Sequence, residues 1–287
     1  MSLMSNAVAP LPSEPGVKDE PIPPIVDDAL TGLALAAASA NIMMQLARLP
    51  VGHGVAHSKV DSGRVDLHPV KRARTTLSYI AIALIGGADE RLAFRAEVDK
   101  QHRQVRSSAP VKYNAFDREL QLWVAACLYL GTEMVYEMLH GPLDEQAKDV
   151  LYQHGARFGT TLQMSRDQWP ADRAAFEKYW NDGLDKIETD ETTRAYLLNL
   201  AQFGFLPGPF RRTLGPLGLF LTTGFLPQRF RDEFGLRWDG LSQRRFDNFI
   251  RVSAKVNRAM PRALRQFPFN LYLWDTRRRF RTGKPIV

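Results

Sequence analysis

The chain contains one cysteine, Cys127, among its 287 residues. A single cysteine forms no disulfide within the chain and cannot build a zinc site from cysteine ligands, so we expect a reducing, cytoplasmic location. The chain also lacks a run of about 18 uncharged apolar residues, and its amino terminus lacks a charged segment followed by an apolar core. These absences argue against a membrane-spanning helix and against a signal peptide.

Several motifs that carry familiar chemistry are missing as well. The sequence has no glycine-rich phosphate loop, no nucleophile elbow and no Cys-X-X-Cys-His motif for covalent attachment of haem. Their absence removes most of the support for a nucleotide-binding protein, for a hydrolase of the nucleophile-elbow type and for a c-type cytochrome.

The net charge of +7 would suit an anionic partner, but the excess of positive charge is concentrated in residues 261–284. A basic segment of this kind is more often a solvated helix end than a binding surface. We therefore predict no binding of nucleic acid, whereas peripheral contact with a membrane stays an open alternative. The basic residues of the segment are Arg262, Arg265, Arg277, Arg278, Arg279, Arg281 and Lys284.

Composition and length favour one globular domain. Apolar residues make up 45% and charged residues 24% of the chain, which is ordinary for a globular protein. Residues 1–26 hold six of the 18 prolines and cannot form a regular helix, so they are predicted to be a disordered, proline-rich arm. Residues 27–287 are predicted to form the domain.

Helical periodicity recurs along this domain, and no series of alternating strands interrupts it. The first helix is predicted to begin at Asp27 or Asp28 and to run to Pro50. The segment 204–226 is rich in glycine and proline and is predicted to be a packed connector, with the lining of an apolar pocket and a membrane-touching loop as the alternatives. The pattern indicates an all-α domain of roughly nine to eleven helices. Further helices are predicted at 70–85, 116–139, 143–163, 170–186, 190–203, 227–235 and 242–260.

The stretch from Lys71 to Arg106 combines the features that suggest a site. Arg72 and Thr76 lie one turn apart on a predicted helix, a Gly-Gly break follows, and the next helix carries His102 on its apolar face. A lone histidine in such a position is more often a core residue than a ligand, and Arg72 and Thr76 could equally form a helix-end salt bridge and a backbone-bonded hydroxyl. The functional alternative is ligation of haem iron by His102, with Arg72 pairing with a propionate or polarising bound oxygen beside Thr76.

His53 and His57 form a second histidine pair, four residues apart. This spacing places two imidazoles on one face of a helix, as many metal sites require. Gly54 is a poor helix former, however, and no glutamate lies between the histidines, so the metalloprotease arrangement is missing. The sequence therefore does not favour a metal ion here.

The order of several segments resembles the DUF2236 family, which includes the rubber oxygenases called latex clearing proteins and the fungal mycophenolic-acid oxygenases of the MpaB type. The likeness runs in consistent order over residues 28–285. It implies an all-helical fold in which haem b, bound without a covalent link, is held between core helices. The segments that carry it are HSKVDSGRVDLHPVKRARTTLSYIAIALIGG, EVDKQHRQVR, YNAFDRELQLWVAACL, GPLDEQAKDVLYQHGARFG, MPRALRQFP and DTRRRFRTGKP.

By this resemblance, His102 corresponds to the proximal ligand of the haem iron, in a His-X-X-Val-Arg pattern. Arg72 and Thr76 correspond to an Arg-X-X-X-Thr pair beside the haem and are the expected catalytic residues. Rubber oxygenases can have a lysine before that threonine, where this chain has Thr75, and many relatives have a histidine where it has Ala125. Distal ligation by lysine is thus expected to be lost, and polyisoprene is not the expected substrate.

The sequence and the resemblance together predict a cytoplasmic, haem-b-dependent oxygenase. Its expected partners are dioxygen and an apolar substrate, isoprenoid or lipid-like, with oxidative C=C cleavage as one reaction. The alternative is a non-catalytic helical protein that binds a lipid or terpenoid, in which His102 is a core residue. The oligomeric state is not predicted.

Overall fold

The structure is a computed structural model that describes residues 21–57, 67–109 and 111–286. Residues 1–20 of the predicted arm therefore lie outside the described residues. The helices, in chain order, are α1 (Pro24–Ala29), α2 (Ala38–Leu46), α3 (Leu49–Ala56), α4 (Pro69–Ile85), α5 (Ala88–His102), α6 (Arg118–His140), α7 (Glu145–Gly155), α8 (Arg157–Thr160), α9 (Arg173–Leu184), α10 (Glu191–Ala201), α11 (Gly208–Phe225), α12 (Gln228–Phe234), α13 (Gly240–Ala259), α14 (Arg262–Arg265) and α15 (Phe269–Thr282).

The all-α class is confirmed, although the described residues form more helical segments than the nine to eleven predicted. Short 3-10 helices occupy Gly32–Ala37 and Arg166–Gln168. Among the described residues, the strands are β1 (Arg106–Ser107) and β2 (Tyr113–Asn114), which pair antiparallel. This small ribbon follows His102 directly and joins α5 to α6.

Helix α6 is the central packing element, as the sequence predicts. Asp117 caps it, because its Oδ1 accepts hydrogen bonds from the backbone amides of Glu119 at 3.0 Å and Leu120 at 3.1 Å. One face, including Tyr129, packs into a core with α1, α4, α5, α7 and α15. The opposite face, including Trp123, packs into a second core with α2, α3 and α10–α13. Helix α6 therefore separates two hydrophobic cores.

Helix α6 is also the one described helix that is long and apolar enough to cross a membrane by length and composition alone. Of its most apolar 18-residue window, 56% is buried inside the protein. The segments Gly32–Leu46 and Leu49–Ala56 pass the same test only as a pair, and that pair is bent by 112°. Burial in both cores accounts for the apolar face of α6.

The α4–α5 hairpin matches the prediction closely. Helix α4 ends at Gly86, and α5 begins after Gly87, whose backbone amide donates to the Glu90 carboxylate at 3.0 Å. Helix α15 packs along α4, and a buried hydrogen bond of 2.9 Å joins Thr276 to Ser78. The hairpin that carries the candidate site is thus anchored by the last helix of the chain.

The prediction of one continuous helix up to Pro50 is wrong. The chain leaves helical geometry at Leu30 and again at Arg48, whose extended backbone precedes the proline-containing first turn of α3. Asp27 and Asp28 do not cap a helix. Their carboxylates form ion pairs with Arg262 and Arg265, and these ion pairs connect α1 to α14.

The prediction that 204–226 is a packed connector is also wrong, because most of it forms α11. Pro216 lies inside this helix, where it lacks the amide for one backbone hydrogen bond. Gly218 and Gly224 permit close packing: a Cβ at Gly218 would lie 2.6 Å from the Ala201 carbonyl oxygen, and one at Gly224 would lie 2.3 Å from the Phe246 ring. Tertiary contacts with α10 and α13 therefore outweigh the low helix propensity of the segment.

Two other predicted helices are shorter than expected. The helix predicted for 143–163 begins only after Asp144, which caps α7, and is interrupted between α7 and α8 at Ala156. The helix predicted to open at Pro170 begins after Asp172, which caps α9. In both cases an aspartate side chain, which accepts a backbone amide hydrogen bond, sets the first turn.

Candidate functional site

Arg72 lies in the second turn of α4 and is partly buried. Its Nε atom is fully buried and has no hydrogen-bond partner among the described residues. Burial lowers the pKa of Arg72 below its ordinary value, and the phenol of Tyr196 on α10 acts in the opposite direction. Arg72 is therefore a cation with an unused hydrogen-bond donor in the interior, an arrangement that stabilises the fold poorly.

Thr76 follows Arg72 by one turn and is also partly buried. Its neighbour Thr75 is buried, and the Thr75 hydroxyl donates to backbone carbonyl oxygens of its own helix, at 3.2 Å from Lys71 and 3.1 Å from Arg72. The Thr75 side chain is therefore satisfied locally. Arg72 and Thr76 share one face of α4, as the sequence spacing predicts.

His102 is the last residue of α5 and is partly buried. Its Nδ1 atom lies 3.1 Å from Oε1 of Gln163, which belongs to the turn that follows α8. The ring of Phe116 stands edge-on to the imidazole, with 6.2 Å between ring centroids. Contacts from two separate segments thus hold the His102 ring in one orientation.

The hydrogen bonds of Gln163 determine which nitrogen of His102 carries the proton. The Gln163 side-chain amide donates to a carboxylate oxygen of Asp99, and its carbonyl oxygen accepts from Nε2 of Gln121 at 2.7 Å. The carbonyl oxygen therefore faces His102, so Nδ1 must donate the proton in that contact. The Nε2 atom of the neutral ring then carries the free lone pair that a metal ion would bind.

Burial favours the neutral form of His102. Burial lowers the pKa of His102 below its ordinary value, and the positive charge of Arg72 lowers it further. The hydrogen bond to Gln163 and the charge of Asp99 raise it, but they do not overcome burial. Arg72 therefore acts electrostatically on His102, which indicates that the structure brings the two predicted residues into one neighbourhood.

Sequence reasoning missed the residues that orient His102. Asp99 precedes His102 by three positions on the same helix, so its proximity could have been read from the helical period. Gln163 is 61 residues away from His102, and Gln121 lies on α6. No sequence pattern signals these two contacts, since only the tertiary fold brings the segments together.

The structure places His53 and His57 in contact despite the glycine between them. Helix α3 includes His53 and Gly54, and His57 follows it as the C-terminal cap. The two rings stack with 4.1 Å between centroids, and Nδ1 of His53 lies 2.8 Å from a carboxylate oxygen of Asp190. Helix α3 thus includes Gly54 in spite of its low helix propensity. Sequence reasoning gave no indication of Asp190.

An apolar cleft of about 430 Å³ lies between α6, α11, α12 and α13. Met134, Met138, Phe225 and Ile250 contribute to its lining, and Arg231 and Asp247 supply charged groups. The residues around His102 do not line this cleft, so it is a separate feature of the second core.

Comparison with known proteins identifies the family. Residues 28–255 match the family described as "ER-bound oxygenase mpaB/B'/Rubber oxygenase, catalytic domain". Uncharacterized protein Rv2237 of Mycobacterium tuberculosis and uncharacterized protein Mb2261 of Mycobacterium bovis are each 49% identical to the chain over 251 residues, which is 87% of this chain and 98% of each relative. No solved structure gives a significant match. The chain therefore belongs to the mpaB/rubber oxygenase catalytic-domain family, also called DUF2236, and this membership supports an oxygenase-type function.

Proposed function

We propose that the protein is a haem-b-dependent oxygenase that acts on an apolar, isoprenoid or lipid-like substrate. The observation that carries the proposal is the tautomer of His102. Gln163 accepts the Nδ1 proton of His102, so the opposite nitrogen presents a lone pair. Ligation of iron through Nε2 requires this arrangement, because the nitrogen that binds the metal must carry no proton.

The residues around His102 fit haem b in two respects. The neutral imidazole offers the nitrogen that binds iron, and the buried, unpaired Nε of Arg72 offers a donor for a propionate carboxylate. When bound, haem b supplies the iron centre that activates dioxygen. The protein supplies an oriented imidazole, a buried cation and an environment largely shielded from water.

Asp99 and Gln163 form the outer layer of this arrangement. Asp99 orients the Gln163 amide, and the Gln163 carbonyl oxygen in turn accepts the proton of His102. A hydrogen bond of this kind fixes the ring and increases the electron density at the nitrogen that faces the metal. His102 is thus positioned and tuned by Gln163, which comes from another segment and is oriented by Asp99 of α5.

This chain departs from the family pattern at two positions where relatives have a lysine or a histidine. The family's lysine position holds Thr75, whose hydroxyl is bound to the backbone of α4, and its histidine position holds Ala125, which is buried. Neither residue can ligate iron. We therefore propose that His102, and neither Thr75 nor Ala125, would bind the iron.

The proposed substrate class follows from the family and from the apolar interior. Side chains of the first core, including Leu77, Phe94 and Val98 on α4 and α5, surround the hairpin that carries the site. An apolar interior of this kind excludes water and favours an apolar substrate. Oxidative cleavage of a C=C bond, with dioxygen as co-substrate, is the reaction that we propose by analogy with rubber oxygenases.

A pyridine haemochrome assay on the purified protein, before and after addition of haemin, tests the proposal. We expect a b-type haemochrome and a Soret band in the wild type, and loss of the Soret band in the His102→Ala variant. His68→Ala is the matched control, because His68 is an exposed histidine at the amino end of α4. A wild-type protein without a Soret band after haemin addition would refute haem binding.

A non-catalytic lipid- or terpenoid-binding protein is the second candidate function, and the apolar cleft between α6 and α11–α13 is the observation that favours it. Measuring dioxygen consumption and ligand binding in the wild type and in His102→Ala distinguishes the two functions. An oxygenase consumes dioxygen when an apolar substrate is added, and His102→Ala abolishes the consumption. A binding protein retains its ligand in the His102→Ala variant and consumes no dioxygen in either form.

A further inference from the structure

We propose that His53, His57 and Asp190 form a binding site for one divalent transition-metal ion, of which Zn²⁺ is the representative. The three side chains come from α3, from its C-terminal cap and from the residue that precedes α10. Together they offer two imidazole nitrogens and one carboxylate oxygen. Three ligands of these types and an open fourth position are the usual composition of a catalytic or exchangeable zinc site.

The separations between the ligand atoms support the assignment. One candidate ligand atom from each side chain lies within 4.8 Å of the other two, and Nδ1 of His53 and Oδ2 of Asp190 are 2.8 Å apart. Ligands at about 2.0–2.2 Å from Zn²⁺ lie about 3 to 3.5 Å from one another in a tetrahedral site. The His57 side chain is exposed, so its ring is free to turn towards the other two ligands when an ion binds.

The backbone fixes two of the three ligands in advance. Asp190 caps α10 through Oδ1, which accepts the backbone amide of Thr193 at 2.6 Å, so Oδ2 is directed towards His53. A Cβ at Gly52 would lie 2.6 Å from the Thr193 side chain, which shows how closely α3 and α10 approach. His53 itself is 7% exposed. Little conformational freedom is therefore lost when an ion binds.

The charges and access are suitable for a cation. His53 and His57 lie at the C-terminal end of α3, where the carbonyl groups give a negative potential. Binding of the ion through Nδ1 replaces the hydrogen bond between His53 and Asp190, and the ring proton then lies on Nε2. Exposed His57 leaves a route from solvent to the ion. Imidazole and carboxylate ligands without a thiolate suit Zn²⁺, Co²⁺ and Ni²⁺.

The site is separate from His102 in its ligands and in its elements. His102 ends α5 and binds Gln163, whereas the proposed ion joins α3 to α10. The ring of Tyr113 on β2 packs against Gly54, next to His53. Because the two sites share no ligand residue, metal binding can be measured without haem.

The experiment is a titration of full-length, chelator-treated and haem-free protein with ZnCl₂ by isothermal titration calorimetry, and with CoCl₂ by visible absorption. We expect one equivalent of Zn²⁺ to bind, a rise in melting temperature, and Co²⁺ d–d bands typical of a low-coordinate site. An absence of saturable Zn²⁺ binding, or a melting temperature that Zn²⁺ does not change, would overturn the proposal.

Two variants test the ligands while preserving the fold. Asp190→Asn keeps an efficient helix cap but removes the carboxylate charge, and we expect it to weaken Zn²⁺ binding by about 10- to 100-fold. His57→Ala alters an exposed side chain, and we expect it to abolish the Co²⁺ bands. His68→Ala and His102→Ala should bind Zn²⁺ as the wild type does. Wild-type affinity in Asp190→Asn and His57→Ala, or loss of binding in His102→Ala, would show that the ion does not occupy this site.

Discussion

The imidazole of His102 donates its Nδ1 proton to the side-chain carbonyl oxygen of Gln163, over 3.1 Å and across 61 positions of the sequence. The direction of this hydrogen bond is set by Asp99, which accepts the Gln163 amide. A residue on a separate segment thus decides which nitrogen of His102 is free. The ligand function proposed for His102 depends on a relationship that its own helix cannot provide.

The first prediction concerns Gln163→Leu, which removes the hydrogen-bond acceptor of His102 and puts an apolar side chain of similar size in its place. We expect haem affinity to fall by about 10- to 100-fold, because His102 then loses its fixed tautomer and ring orientation. Titration of the haem-free protein with haemin, followed at the Soret band, measures the change. Gln153→Leu, at an exposed position of α7, is the matched control and should bind haemin normally.

Gln163→Glu combined with Asp99→Asn tests the same relationship from the other side. The second substitution avoids repulsion between two carboxylates, and its side-chain amide can donate to the new carboxylate. The carboxylate still accepts the Nδ1 proton, and its charge makes the imidazole a stronger donor to iron. We expect haem to be retained and the reduction potential of the iron to shift to a more negative value, as measured by spectroelectrochemistry. An unchanged potential would show that residue 163 does not communicate with the iron ligand.

The second prediction concerns the effect of Arg72 on the free energy of unfolding. Because its buried Nε lacks a partner, Arg72→Met should leave the free energy of unfolding of the haem-free protein unchanged or raise it by about 1 kcal/mol. Haem affinity should fall, because the donor proposed for a propionate is lost. Urea denaturation and haemin titration of the same variant measure the two effects.

Arg173→Met is the contrasting variant for this prediction. The Arg173 guanidinium binds the Glu133 carboxylate at 2.6 Å and the Tyr129 hydroxyl at 2.7 Å, and Glu133 is buried. Removing the arginine leaves that carboxylate unpaired in the core and should cost about 3 kcal/mol. A similar loss of stability in Arg72→Met would indicate that Arg72 has a structural partner rather than a ligand to bind.

The third prediction concerns Trp123, which joins α6 to the second core. It is fully buried, its ring stacks on Trp180 with 4.9 Å between centroids, and its Nε1 donates to the Met44 carbonyl oxygen at 3.1 Å. Trp123→Ala should lower the free energy of unfolding by about 3 to 5 kcal/mol. In Trp274→Ala, where the side chain is 55% exposed, the change should stay within about 0.5 kcal/mol. Equal losses in the two variants would contradict the assignment of the core.

The parts of the fold that the sequence predicts are those governed by local signals. The α4–α5 hairpin follows from two periodic segments across Gly86 and Gly87, and α6 follows from a capping aspartate before a long apolar run. Helix α11 does not follow in this way. Its glycines and Pro216 indicate a break, but contacts with Ala201 and Phe246, which are distant in sequence, stabilise the helix.

The same distinction applies to the candidate site. Arg72 and Thr76 share a helix, so their spacing alone places them together, and the apolar pattern of α5 directs His102 inwards. Gln163 and Asp190 each act on a histidine from another element, over 61 and 137 positions respectively. A helical period carries no information about such pairs, and therefore the residues that tune the histidines could not be predicted.

The last prediction concerns the pH dependence of stability at His154, a buried residue of α7 whose Nε2 donates to the Leu84 carbonyl oxygen at 2.7 Å. Burial, assisted by the charge of Arg157, lowers the pKa of His154 from 6.5 to about 4 in the folded protein. Between these values the unfolded chain binds a proton that the folded protein does not, so the free energy of unfolding falls as the pH falls. The full loss from this residue is roughly 3 kcal/mol and is complete below the folded pKa.

His154→Gln isolates this effect, because a glutamine amide can still donate to the Leu84 carbonyl oxygen but does not titrate. Other histidines, including His102 and His140, titrate in both proteins, so their contributions cancel in the difference between variant and wild type. Urea denaturation at a series of pH values measures that difference. As the pH is lowered from 7 to 4, the free energy of unfolding of the variant should rise relative to that of the wild type by roughly 3 kcal/mol. The reason is that only the wild type takes up a proton at His154 on unfolding. Parallel stability curves for the two proteins would mean that His154 is accessible to protons in the folded state.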